Sequence, residues 1–505
     1  MLNSFTSYIS QNFRLLPLEI EVHVFSRGFP KFEIVGLPSK NINESAKRIK
    51  SAIVNSGFKF PASRVLVSLN PHDIPKTDAL YDIPIALGLL AKTCKLYLND
   101  NYVFLGTLNL DGSISSSYLE GLTSEFSNSH KVIFVPASSM SIVRSVYKGG
   151  LVPYHSLVEL VNILSKPDIS AHVNYSEITT TFSQHKRANT SYSIDSSPGQ
   201  LFAKRALMIS FAGRHPTLVL SSDSKSSRSL VGHYFDLLPP LCVKEVAENI
   251  KMQSHLCKKL PCSDKVYLRP LEVISKDSRK LKVKKTNNGG SYNALTESCG
   301  TLVVEDINRL SSTELGDLFF LLNDCHAVNS YQQRELSASG CKTHLIAVTG
   351  SCTCLGSSNV NHKCTCLPAR VNKDSTSLQK LSSEFGIHIT IPITDSLNQL
   401  TAQNLGQHIY GKTICTQLSK AYERQYKRYD MNFYNSNAPV NLFVKHAKIS
   451  DLLLNKFYTW CYSLGINSGL NLSFCRLART IADLEDAACV EEEHLLEALQ
   501  YRFKL

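Results

Sequence analysis

The stretch GTLVVEDINRL, Gly300 to Leu310, decides how this chain is read. Four residues without charge run into two acids and then into polar sequence, a pattern too short for a helix and typical of a buried strand. Working outward, TLVLS (217–221), THLIAV (343–348) and GIHITIPI (386–393) repeat it. The helical pattern GQLFAKRALMISFAG (199–213) precedes the first of them. Strands alternating with helices predict an α/β domain with a mostly parallel sheet. From about residue 412 the pattern is helical to the end.

The N-terminal part reads as a separate α+β or α/β unit. LEIEVHVFS, KFEIVGLP and SRVLVSLNP (18–71) alternate like strands, and INESAKRIKSAIVNSGF between them places Ile42, Ala46, Ile49, Ile53 and Val54 on one helical face. YDIPIALGLLAK predicts a helix, NYVFLGTLNLDGSI a hairpin turning at Asp111-Gly112, HKVIFVP a strand and YHSLVELVNIL a closing helix. After Asp168 the composition turns polar and rich in Ser and Thr. The expected division is 1–168, a linker at 169–197, a core at 198–395 with a Cys-rich insert at 350–368, and a helical region at 396–505.

With 505 residues, 43% apolar and 19% charged, the chain has material for more than one core. No window approaches a membrane span, and the start lacks a basic region followed by an apolar one and a cleavage site. A cytoplasmic location is therefore expected, where most of the fifteen cysteines would be thiols. A formal net charge of +12 fits a polyanionic partner, nucleic acid being the simplest, and equally fits a basic protein without one.

Longer blocks carry a resemblance. EVHVFSRGFPKFEIVGLPSKNINESAKRIKSAIVNSGFKFPASRVLVSLNPHDIPKTDALYDIPIALGLLA (21–91) resembles the N-terminal domain of the ComM/YifB family, Mg-chelatase-like AAA+ proteins associated with bacterial competence. LARTIADLE (477–485) and HLLEALQYR (494–502) resemble that family's last helices, and LLPPL, LRP, GTLVVEDINRL and the paired CTC motifs align between. The resemblance implies a domain like ribosomal S5 domain 2 and the Lon protease domain, an AAA+ P-loop core and a helical lid. It implies an ATPase that forms a ring, with a hexamer as the candidate assembly, moves on DNA and promotes branch migration during natural transformation. Lon-type proteases carry a Ser nucleophile near the place of YDIPIALG, which holds none, so peptide hydrolysis is not expected.

Placed on this family, the nucleotide machinery is altered part by part. The phosphate-binding loop would follow PTLVL, where the chain reads SSDSKSSRS. The family's Gly positions fall on Ser221, Ser224 and Ser226, its Lys on Ser227 and its Mg²⁺-binding Ser/Thr on Arg228. Glycines permit the positive φ and close approach of a phosphate cradle, and the Lys supplies charge to the β- and γ-phosphates. Lys225 and Arg228 could still attract an anion, the alternative being a solvated polar loop. The acids at the strand end stand in the order Glu305-Asp306, the reverse of the family's Asp-Glu. The sensor Asn falls on Gly350, the Arg offered to a neighbour's γ-phosphate on Glu384, and the lid's sensor Arg on Gly469. ATP and Mg²⁺ are cofactors that the family resemblance implies, but the altered positions argue against them in this chain, and lost or strongly reduced hydrolysis is expected. The alternatives are an active branch-migration helicase with an atypical loop and a scaffold joining rings of an active homologue.

GQHIYGKT (406–413) spells the loop pattern G-x-x-x-x-G-K-[ST] but follows no apolar strand and lies after the acidic strand. It reads as coincidence, with Thr413 expected to cap the helix ICTQLSKAYERQYKRYD. Cys352, Cys354, Cys364 and Cys366 form C-x-C pairs nine residues apart, a set that suits a closed structural zinc site, with His362 as a substitute ligand and free thiols as the alternative. SKDSRKLKVKKTNNGG reads as an exposed basic loop whose Lys276, Arg279, Lys280, Lys282, Lys284 and Lys285 are candidates for DNA contact, near the channel that the family resemblance implies. KAYERQYKRY interleaves aromatic and basic residues, which suits either DNA or packed side-chain stems.

Overall fold

The computed structural model describes residues 2–11, 14–25, 29–36, 41–71, 81–117, 123–126, 129–175, 201–221, 224–257, 271–274, 284–285, 291–292, 300–307, 310, 315, 343–349, 367, 384–391, 407–430, 433–466 and 468–502. The chain forms two compact units, one of residues 1–181 with 243–267 and the other of residues 182–242 with 268–505.

The first unit opens with β1 (Leu2–Gln11) and β2 (Arg14–Val24), followed by β3 (Lys31–Val35), α1 (Asn41–Asn55) and β4 (Arg64–Asn70). The sheet order is β1-β2-β4-β3, antiparallel except for the parallel β3–β4 pair. Alternation places Leu18, Ile20, Val22, Val65, Val67 and Leu69 on the buried face. Against them lie α1 and α2 (Asp82–Leu90), the latter buried along its whole length. The inward face of α1 is Ile49, Ala52 and Ile53, with Ala46 half-buried, whereas Val54 is exposed. Val54 follows Ile53 by 100° of helical turn, so only one of the neighbours can face the sheet.

The chain continues through β5 (Tyr102–Phe104), β6 (Thr107–Leu108), β7 (Ile114–Ser115), β8 (Val132–Pro136), α3 (Met140–Val146), β9 (Leu151–Tyr154) and α4 (Leu157–Leu164). The expected hairpin turns at Asp111-Gly112, with Gly112 at φ 84°, but its arms are β6 and β7. β5 instead joins a parallel sheet in the order β5-β8-β9. Ser156 caps α4 by accepting from the Glu159 backbone N–H. A further helix, Val243–Cys257, completes this unit, packing against α3.

The second unit holds α5 (Leu201–Gly213), β10 (Thr217–Ser221), α6 (Ser224–Asp236), β11 (Leu271–Ile274), β12 (Lys284–Lys285), β13 (Ser291–Tyr292), β14 (Thr301–Glu305), β15 (His344–Thr349) and β16 (Ile387–Ile391). Its five-stranded sheet runs β11-β14-β15-β10-β16 and is parallel throughout. The strands alternate between two apolar clusters. Val219, Val303, Ile346 and Ile389 face one, and Leu218, Leu302, Val304, Leu345 and Ala347 the other. Burial on both faces is why these strands read as continuous apolar runs. The first cluster is covered by α5 and by the C-terminal helices α7 (Gln407–Arg428), α8 (Val440–Ala447), α9 (Asp451–Ser463), α10 (Asn471–Leu484) and α11 (Glu492–Gln500). The chain is thus mixed α/β, as expected.

Candidate nucleotide site

In an open parallel sheet, ligands bind outside the carboxyl ends of the strands where the strand order reverses. Here that place is the end of β10, whose neighbours β15 and β16 lie on opposite sides. β10 ends at Ser221, which is buried, and α6 begins at Ser224. Ser224, Ser226, Ser227 and Arg228, taken from the sequence as loop positions, therefore lie within the helix. Ser227, at the place of the phosphate-binding Lys, is 0% exposed. From the fifth helical residue onward, each backbone N–H is committed to the carbonyl four residues back. Among the described residues, that leaves only the first-turn amides of α6 for an anion, and the positions of the family's second and third glycines lie in helix.

Arg228 lies on the first turns of α6 and reaches the end of β14. Its Nε donates to Glu305 Oε1 at 2.7 Å, and its terminal nitrogen NH2 donates to the same oxygen. Glu305 is the shielded partner, with its side chain 11% exposed against 51% for Arg228. Sequence reasoning placed these two residues at the ends of separate motifs, and the fold joins them as an ion pair. Asp306 follows in the left-handed region at φ 51°, a conformation that Asp tolerates better than most residues. The chain thus turns at the second acid, just past the end of β14.

The other predicted positions fall as follows. Glu384 is exposed, immediately before the buried Phe385 that leads into β16. Gly469 lies in the short turn Ser468–Leu470, with open space where a Cβ would stand. Gly350, Cys352, Cys354, Cys364, Cys366 and His362 lie outside the described residues, as do Lys276, Arg279, Lys280 and Lys282. Lys284 and Lys285 form β12, antiparallel to β13, where the sequence reads as an exposed loop. The Asn-Asn-Gly-Gly run between these strands supplies hairpin chemistry, which explains the difference.

The look-alike GQHIYGKT is helical from Gln407 onward, so it forms no phosphate loop. Thr413 consequently lies in the second turn of α7 and is not its cap, a correction to the sequence reading. The residues between, all but one of them able to continue a helix, extend it upstream. In the first unit, YDIPIALG forms the buried α2, and Asp82 meets Arg48 Nε at 2.5 Å. Burial pushes the Asp82 carboxyl up to about 6 against the pull of Arg48.

The sequence did not reveal a buried polar chain linking β10 to the C-terminal helices. His215 Nε2 meets Thr480 Oγ1 at 2.7 Å, and Asn435 donates to Thr480 Oγ1 at 3.0 Å and to Asp483 Oδ2 at 2.9 Å. Asp483, fully buried, also accepts from Arg428 at 2.5 and 2.7 Å and from Arg479 at 2.8 and 3.2 Å. The interleaved Tyr and Arg of α7 thus serve packing. Arg428 is held by Asp483, Tyr422 is buried, and Arg424 bonds the Asp483 carbonyl and Asp486. The one signal in the sequence was Arg479 and Asp483 four residues apart on a helix. Burial lowers His215 and His344 to about 3, so both are neutral and structural.

Three family descriptions match consecutive parts of the chain: subunit ChlI of Mg-chelatase over residues 20–139, magnesium chelatase subunit ChlI over 194–399, and the ChlI C-terminal region over 411–502. The chain is 25% identical over 526 aligned positions to the uncharacterized protein YifB of Escherichia coli, covering 96% of this chain and 94% of that one. It is 24% identical over 511 positions to YifB of Salmonella typhimurium, with the same coverage. It is 30% identical over 241 positions to the competence protein ComM of Haemophilus influenzae, covering 46% of each. Among the described residues, no helix is long and apolar enough to cross a membrane. With matches that run from residue 20 to residue 502, the chain belongs to the Mg-chelatase ChlI-related family of YifB and ComM.

Proposed function

We propose that this chain is an AAA+-type member of the ComM/YifB group that acts in DNA processing during natural transformation without hydrolysing ATP. The reading joins an S5-domain-2-like N-terminal domain, an AAA+ core and a helical lid. A parallel sheet with β10 between β15 and β16, and helices covering one face, supports the core assignment. The observation that carries the loss of hydrolysis is the start of α6 at Ser224, three residues after the end of β10, with Ser227 buried where a phosphate-binding Lys would extend. Without an amide cradle and its Lys, the developing charge of phosphoryl transfer has no preorganised partner.

DNA is the proposed partner, supported by the net charge of +12 and by the basic run ending at Lys284-Lys285. Assembly into a ring, as a hexamer or with an intact homologue, is part of the same proposal. A structural zinc held by Cys352, Cys354, Cys364 and Cys366 is proposed from their spacing. The test is ATP turnover and ATP binding by the purified full chain, with and without forked DNA. No turnover together with retained, salt-sensitive DNA binding is expected. Turnover stimulated by forked DNA and abolished by Glu305→Gln would overturn the reading.

A further inference from the structure

A P-loop ATPase of this topology holds Mg²⁺ between a Ser/Thr hydroxyl at the start of the helix after the first strand and an Asp at the end of the acidic strand. The residues present do not fit that ion. The hydroxyl's place is taken by Arg228 and the Asp's by Glu305, and the two side chains already bond each other through one carboxylate oxygen. We propose that Arg228 fills the place of the divalent cation with its own guanidinium, so that Glu305 is neutralised from within the chain and the site takes up no metal ion.

Two observations and one chemical constraint carry this. The acid is the shielded member of the pair, at 11% exposed, so a cation held beside it offsets the cost of shielding its charge. The guanidinium supplies that charge in two hydrogen bonds to Oε1. Mg²⁺ demands oxygen ligands at about 2.0–2.1 Å in octahedral array, whereas a guanidinium donates and cannot ligate. A second cation on the same oxygen would meet the fixed positive charge at contact range. The idea rests on the proposed function in one respect, the placing of Arg228 and Glu305 at the metal-binding positions.

The experiment uses the nucleotide-free full chain and Mn²⁺ alone as probe, read by electron paramagnetic resonance, with thermal unfolding in Mg²⁺ or EDTA beside it. The parent is expected to bind no Mn²⁺ in a Glu305-dependent way and to melt identically in both buffers. Arg228→Thr restores the hydroxyl and removes the guanidinium, and it should tighten Mn²⁺ binding about tenfold or more by relieving one like charge. It should also acquire a Mg²⁺-dependent rise in Tm, and both gains should vanish in the double variant Arg228→Thr, Glu305→Gln. Should Arg228→Thr fail to fold, Arg228→Gln, which keeps much of the reach and drops the charge, carries the same comparison.

The inference is overturned if the parent binds Mn²⁺ and Glu305→Gln abolishes that binding. It is equally overturned if the neutral variants bind no more Mn²⁺ than the double variant. ATP turnover by a parent that shows no Glu305-dependent Mn²⁺ binding would sink the proposed function and leave this inference standing. Metal binding through Glu305 without turnover would do the reverse.

Discussion

Replacing Asp483 by Asn should cost the second unit more stability than changing any exposed ion pair. The carboxylate is 0% exposed and sits between Arg428, 13% exposed, and Arg479, 1% exposed. Asn keeps the shape but removes the charge, and its amide presents donors to guanidinium donors. Breaking a buried pair by removing one partner costs about 3–5 kcal/mol, because the remaining charges are left without compensation. For a unit of this size about 2 °C of Tm accompanies each kcal/mol, so a fall of roughly 6–10 °C is expected. The chain has a single Trp, Trp460 on α9, so fluorescence during urea or thermal unfolding reports on this unit. A loss below about 1 kcal/mol, the range of exposed pairs, would refute the reasoning. Replacing all three charges, Arg428→Met and Arg479→Met with Asp483→Leu, should recover part of the loss, since apolar substitutes for buried ions are often tolerated.

Other expectations follow from the same packing. His215 and His344 have pKa values lowered by burial to about 3, so their contribution is complete above about pH 6.5 and is lost as pH falls toward 3. Asp82 acts in the opposite sense, being raised to about 6, so its contribution is present below about pH 3.8 and lost as pH rises through 6. Melting curves across pH 3–8 should show the Trp460 transition strengthening with pH, and Asp82→Asn should flatten the opposing trend of the first unit. Gly213→Ala would drive a Cβ into His215 Nε2 and Thr480 Oγ1, and should destabilise by about 1–3 kcal/mol in urea unfolding. Metal analysis of the purified chain should give one zinc per chain, lost on Cys364→Ser; a parent without zinc would dismiss the cysteine proposal.

Periodicity carried the reading of the elements that bury themselves. Buried strands such as β14 and β15 declared themselves as uninterrupted apolar runs, because their two faces meet separate clusters. β1 was not legible, since SFTSYISQ alternates weakly and takes its register from β2. Nor was β9, whose Pro153 masks a four-residue strand fixed by β8. Aligned motifs located Arg228 and Glu305, but nothing in one dimension says that residues 77 positions apart share a hydrogen bond. The cap assigned to Thr413 failed because local capping signals do not show how far a helix continues upstream. Asp483 escaped notice because Arg428 and Asn435 come from another segment, and an Asp four residues from an Arg in a helical pattern reads as surface.

The discontinuity of the first unit has a bearing on how the protein is made. The polypeptide passes from one unit to the other three times, after residues 181, 242 and 267. A ribosome therefore releases α5, β10 and α6 before it releases Val243–Cys257, the last piece of the first unit. The N-terminal unit has to wait, incomplete, while part of its successor is already emerging. A protease cut between residues 176 and 200 would leave both products entangled by connectivity, and a truncation ending at residue 181 would yield an N-terminal fragment short of one helix.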